Sequence, residues 1–125
     1  MGLDMYTYSV AKKDGLSKFK IRKGADRKEI QYWRKHHDLH GWMEKLYRQK
    51  GGKEQSFNCI PLLLTMEDLA NLQKAILTND LPKTTGFFFG NNPPDEESQK
   101  QDLHFIATAM YEISQGRKVY YDSWW

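Results

Sequence analysis

The sequence predicts an α+β fold in which three helices pack on a small, mostly antiparallel β-sheet, as a single domain over residues 1–125. Three observations predict it. Aromatic or alternating segments stand near both ends of the chain. Three segments between them combine helical periodicity with capping or stop signals. The length of 125 residues suits one domain with one core.

Each element follows in turn. Leu3 to Val10 is rich in aromatic and β-branched residues and reads as a first strand. Asp14-Gly15 is a hairpin-turn signal. Lys18 to Arg22 then alternates, with Phe19 and Ile21 on one face and cations on the other, and is expected to pair with the first strand. The main helix is expected over Asp26 to Gln49, with Asp26 as N-cap and Glu29 closing a capping box. On a helical wheel Tyr32, Trp33, Leu39, Trp42, Met43, Leu46 and Tyr47 share one arc, and Gly51-Gly52 ends the pattern. Phe57 to Leu64 is apolar but broken by Pro61, as in an edge strand or extended connection. Thr65 caps a second helix, with Asp68 three residues on, ending near Asn79. Gly86 to Gly90 is a short aromatic run between glycines. Pro94-Asp95-Glu96-Glu97 opens a third helix that Gly116 stops. Lys118 to Trp125 is a last strand, with Val119, Tyr121 and Trp125 on one face and Tyr120 and Trp124 on the other.

Composition narrows the classes of function. The longest purely apolar run, Leu62-Leu63-Leu64, excludes a membrane-spanning helix. The opening Met1-Gly2-Leu3-Asp4-Met5 lacks the basic start and apolar stretch of a signal peptide. One cysteine, Cys59, excludes an internal disulfide and a multi-cysteine zinc site. The net charge of +3 hides an asymmetry. Residues 11–50 hold 13 Lys/Arg against 5 Asp/Glu, so an anion-attracting surface or a solvated cationic face is expected there.

No motif fixes a reaction. His36 and His40 are four apart and share the apolar arc with Trp33 if the segment is helical. A zinc site would need further ligands from Cys59, His104 or a carboxylate, and neither metal nor cofactor is expected. Neither Gly51-Gly52 nor Gly86 to Gly90 has phosphate-loop spacing. The unusual feature is the density of large aromatics beside cations, in Tyr32-Trp33-Arg34-Lys35, at Trp42 and at the carboxyl end. Aromatic faces stack on flat rings and cations hold phosphates. The bland alternative is that these aromatics form the core.

The opening Gly2-Leu3-Asp4-Met5-Tyr6, the block Tyr32-Trp33-Arg34-Lys35 followed by His40 and Trp42, the run Gly86-Phe87-Phe88-Phe89-Gly90 and the Tyr- and Trp-rich end together carry a resemblance. The chain resembles a family of small uncharacterised phage and prophage proteins that begin Met-Gly-Leu-Asp-Met-Tyr. Members usually have asparagine where this chain has His37, which weakens any role needing an amide there. The resemblance implies an accessory protein of host takeover or counter-defence, acting in a bacterial cytoplasm by binding rather than by catalysis.

The leading expectation is a non-enzymatic binding protein that holds a small anionic, nucleotide-like ligand in an aromatic and basic pocket. Trp33, Arg34, Lys35, His36, His40, Trp42, Tyr121 and Trp125 are the candidate ligand-binding residues. Trp33 or Trp42 would stack, Arg34 and Lys35 would meet phosphate, and His40 would donate a hydrogen bond. If helical, Arg34 and Lys35 point away from Trp33, so Lys20 or Arg22 is an alternative source of charge. Two other readings stand beside it. One is an inhibitor or adaptor of a host protein using the aromatic C-terminal strand. The other is a small hydrolase or transferase with His36 or His40 as general base. A homo-oligomer is expected, because so many large aromatics exceed what one small core hides. Nucleic acid is a less favoured partner for want of a motif.

Overall fold

A computed structural model describes residues 2–81 and 96–125. Its elements are β1 (Asp4–Ala11), a 3-10 turn (Lys12–Asp14), β2 (Gly15–Ser17), β3 (Lys20–Ile21), β4 (Lys28–Arg34), α1 (His37–Gln49), β5 (Leu62–Leu64), α2 (Met66–Leu77), α3 (Glu96–Ser114) and β6 (Arg117–Trp124). Four strands form an antiparallel sheet in the order β4-β1-β6-β5, and β2 and β3 form a separate two-stranded ribbon. The predicted α+β class is the observed one. The aromatic run Gly86 to Gly90 and the opening Pro94-Asp95 of the third helix lie outside the described residues.

One expectation is overturned. The long helix over Asp26 to Gln49 is a strand, a turn and a shorter helix. Ile30, Tyr32 and Trp33 favour strands at least as well as helices, and β1 offers them a partner. Met5 faces Trp33 and Tyr6 faces Tyr32 across the ladder. Trp33 is buried and its neighbours Tyr32 and Arg34 are exposed, the period-two signature of a sheet with one covered face. Lys35 then takes a left-handed φ of 59°, which turns the chain from β4 into α1. Asp26 and Glu29 therefore form no capping box, and Glu29 lies opposite Tyr8 in the sheet. The wheel holds from residue 37 onward, where Leu39, Met43, Leu46 and Tyr47 are buried.

The first hairpin differs too. Lys20–Ile21 pairs with Gly15–Ser17 and not with β1, and Phe19 lies in the turn between them. Asp14-Gly15 leads into this ribbon instead of forming its turn. Asp14 is buried and held by the Arg22 guanidinium at 2.6 Å. The ribbon lies against β6, where the Tyr120 hydroxyl donates to the Ser17 carbonyl at 2.7 Å. A Cβ at Gly15 would stand 2.5 Å from the Lys118 side chain and 2.8 Å from the Tyr120 hydroxyl, so this close approach needs glycine.

The remaining elements follow the sequence. β5 is an edge strand behind Pro61. Gly116, at φ 85°, ends α3. Thr65 and Asp68 form the expected capping box at α2, each side chain accepting from the other's backbone N–H. Thr65→Ala should lower stability by about 1 kcal/mol, read as a fall in the urea midpoint without a change in slope.

All three helices contribute to the covered side of the sheet. The core contains Leu3 and Met5, Val119 and Tyr121 from β6, Leu62 and Leu64 from β5, Leu39, Met43 and Tyr47 from α1, Leu69 and Leu72 from α2, and Phe105, Ile106 and Ala109 from α3. A smaller cluster of Val10, Ile21 and Tyr120 lies under the ribbon. Among the described residues no helix is long and apolar enough to cross a membrane.

Candidate functional site

The sheet's alternation sorts the aromatic residues. Odd-numbered positions of β1 and β6 face the helices, so Met5, Thr7, Val119, Tyr121 and Ser123 are buried. Even-numbered positions form cross-strand rows on the other face. Asp4 is flanked by Arg34 and Trp124, Tyr6 by Tyr32 and Asp122, and Tyr8 by Glu29 and Tyr120. A register shift between Thr7 and Tyr8 brings Glu29 into the last row.

At the Asp4 end a pocket of about 230 Å³ opens between Gly2, Asp4, Trp124 and Trp125. Two cations lie beside Gly2, one of the pocket's lining residues. A side chain at Gly2 would begin 3.4 Å from the Lys35 ammonium stem and 3.7 Å from the Arg34 guanidinium. Both cations thus lie within van der Waals reach of the Gly2 position. The Lys35 backbone N–H donates to the Leu3 carbonyl at 2.8 Å, which ties the turn after β4 to the start of β1.

Trp125 is a fixed wall. Its backbone N–H donates to Asn58 Oδ1 at 3.0 Å, its carbonyl accepts from Asn58 Nδ2 at 3.1 Å, and its indole N–H donates to the Phe57 carbonyl at 3.3 Å. Behind it the His40 ring stands edge-on, with centroids 6.2 Å apart. His40 stacks on Phe57 at 5.3 Å, and its Nδ1 lies 2.7 Å from the Tyr121 hydroxyl. Burial lowers the His40 pKa to about 4, so the ring is neutral at neutral pH. Burial likewise pushes the Tyr121 hydroxyl well above its ordinary range, so it remains a donor. His40 and Tyr121 thus belong to the packed support of Trp125.

Trp33 and His36 meet through a residue that sequence reasoning passed over. Asp102 of α3 is buried, and it accepts from Trp33 Nε1–H at 2.9 Å and from His36 Nε2–H at 2.6 Å. His36 precedes α1, so the shared helical arc expected for Trp33, His36 and His40 does not form. A signal for Asp102 existed. It lies three and four residues before Phe105 and Ile106, on the buried stripe of α3, where a carboxylate needs donors.

Trp42 lies elsewhere. It lines a groove of about 400 Å³ between α1 and α2 with Lys45 and Lys74. Of the eight candidates, Arg34, Lys35 and Trp125 converge at the pocket, His40 and Tyr121 back it, Trp33 and His36 form a separate clasp, and Trp42 is in the groove. Gly2, Asp4 and Trp124 are pocket residues that sequence reasoning missed. Trp124 had been set on the opposite face from Trp125, and the pocket draws on both because the chain leaves the ladder after Trp124. Among the described residues no three histidine, cysteine or acidic side chains are grouped to hold a metal. Comparison with protein-family models, with curated proteins and with solved structures finds no match.

Proposed function

We propose that this is a non-enzymatic binding protein whose ligand is a small anionic molecule with a flat ring, such as a nucleotide. The observation that carries this reading is the pocket walled by Trp124 and Trp125, with Arg34 and Lys35 next to its lining residue Gly2 and Arg34 paired across the ladder with its lining residue Asp4. A ring stacks on indole, a phosphate pairs with the two cations, and the Asp4 carboxylate accepts from a ring or sugar N–H or O–H. Its 230 Å³ suits one ring system. The nearby imidazole of His40 is not presented to the pocket as a general base, because it is buried and bonded to Tyr121. The resemblance to small phage proteins is compatible with sequestering such a ligand during infection.

Titration with AMP and GMP, followed by tryptophan fluorescence and calorimetry, tests this. Binding in the micromolar range is expected, weakened about tenfold by Trp124→Ala and by Arg34→Ala. Trp124 is 65% exposed, so its loss leaves the fold intact. Trp42→Ala should leave affinity unchanged. No binding of either nucleotide, or binding lost in Trp42→Ala and retained in Trp124→Ala, would refute the proposal.

A further inference from the structure

The uncovered sheet face continues beyond the pocket. The Tyr6 and Tyr8 rings stack with centroids 5.9 Å apart, and Tyr6 meets Tyr32 at 5.2 Å. Tyr32 is 42% exposed and donates from its hydroxyl to Asp4 Oδ1 at 2.7 Å. Carboxylates frame the aromatics: Asp122 lies in the row of Tyr6, Asp4 in the row before it, and Glu29 opposite Tyr8. The structure already shows what such a surface takes. The Arg27 guanidinium lies over the Tyr8 ring, 5.5 Å from its centroid, with Nη1 4.0 Å from Asp122 Oδ2. An aromatic face beside a carboxylate thus holds a cation of this chain.

The next row offers a second ring, Tyr6, beside the same carboxylate that meets Arg27. Tyr6 has Asp122 on one side and Tyr32, tied to Asp4, on the other. Among the described residues no guanidinium or ammonium lies over Tyr6 or Tyr32. Desolvation raises the Tyr6 hydroxyl, and Asp4, Glu29 and Asp122 push it further in the same direction. The hydrogen bond to Asp4 raises the Tyr32 hydroxyl, with Arg34 acting in the opposite sense.

We propose that this face docks a basic, extended segment of a partner protein, with an arginine or lysine side chain over Tyr6 beside Asp122, as Arg27 lies over Tyr8. The argument is charge complementarity. Three carboxylates around stacked tyrosines disfavour a polyanion and favour a cation whose charge meets the ring faces. The ligand pocket uses Trp124, Trp125, Asp4 and the cations, whereas the docked side chain is placed by Tyr6 and Asp122, which the pocket does not use.

The test titrates the full chain with a hexa-arginine peptide, following the Tyr6 and Tyr32 ring signals by NMR. A hexa-glutamate peptide and a six-nucleotide oligothymidine run in parallel. Ring shifts with hexa-arginine alone are expected, with affinity about fivefold weaker in Tyr6→Leu and in Asp122→Asn. Asp122→Asn keeps the acceptor for the Ser123 backbone N–H and removes the charge, which Arg27 also meets. Glu67→Gln, exposed on α2, should change nothing. Equal affinity in all four proteins, shifts confined to other residues, preferential binding of oligothymidine, or self-association that covers Tyr6 and Tyr32 before any peptide is added would each overturn the proposal.

Discussion

Replacing Asp102 with alanine is expected to destabilise the fold by about 3 kcal/mol, a large effect for one exchange. Asp102 is 2% exposed and both of its oxygens are used, Oδ1 by the Trp33 indole and Oδ2 by His36. Alanine leaves the buried Trp33 N–H without an acceptor, and burying an unpaired donor costs about 1–3 kcal/mol. It also frees His36, which fixes the start of α1, and opens a gap beneath β4. Asp102→Asn separates hydrogen bonding from charge. The Asn carbonyl can still accept from Trp33, and its amide can donate to His36 Nε2 once the imidazole moves its proton to Nδ1. The cost should then fall to about 1 kcal/mol. Urea midpoints of the two variants, with near-ultraviolet dichroism to report on the Trp33 environment, check this. Equal losses for both would assign the effect to charge instead of to donor satisfaction.

That clasp also shows how far the sequence could be read. Periodicity located the second helix and its cap because Thr65 and Asp68 act through neighbouring backbone. The last strand was legible for the same reason: alternation places Val119 and Tyr121 in the core and leaves Trp124 exposed. The segment from Asp26 to Arg34 was not legible, since Tyr32 and Trp33 satisfy a helical wheel and a strand equally well. Pairing with β1, a contact between residues about 30 apart, decides between them. The pocket was half legible. Arg34, Lys35 and Trp125 were named from their chemistry, but assigning Trp33 to the same site assumed a helical face that does not exist. In a strand, Arg34 and Trp33 take opposite faces, which separates the cation that meets the ligand pocket from the indole that binds Asp102. Gly2 carries no side chain to attract notice. Its place beside Lys35 and Arg34 is set by the fold alone.

His40 should make stability depend on pH on the acid side of neutrality. Its pKa in the folded protein is lowered to about 4 by burial, against an ordinary value of 6.5. Between these values the unfolded chain binds a proton that the folded chain excludes, so stability falls as pH falls. The contribution is present above pH 6.5 and is lost progressively toward pH 4, a total of about 3 kcal/mol, of which about 2 kcal/mol goes between pH 7 and pH 5. Carboxylates that titrate in the lower part of this window add their own terms, so the measurement is a difference. Urea melts of wild type and His40→Gln are compared at pH 7 and pH 5, the amide keeping a polar contact for the Tyr121 hydroxyl. Wild type should lose about 2 kcal/mol more than the variant over that interval. The result also bears on the sequence-based alternative of His40 as a general base. A base serving catalysis near neutrality titrates near neutrality. A ring stacked on Phe57, bonded to Tyr121 and packed behind Trp125 is instead kept neutral by the core that surrounds it. If stability did not change between pH 7 and pH 5, or if the loss persisted unchanged in His40→Gln, His40 would not be the buried neutral support of the pocket wall described here.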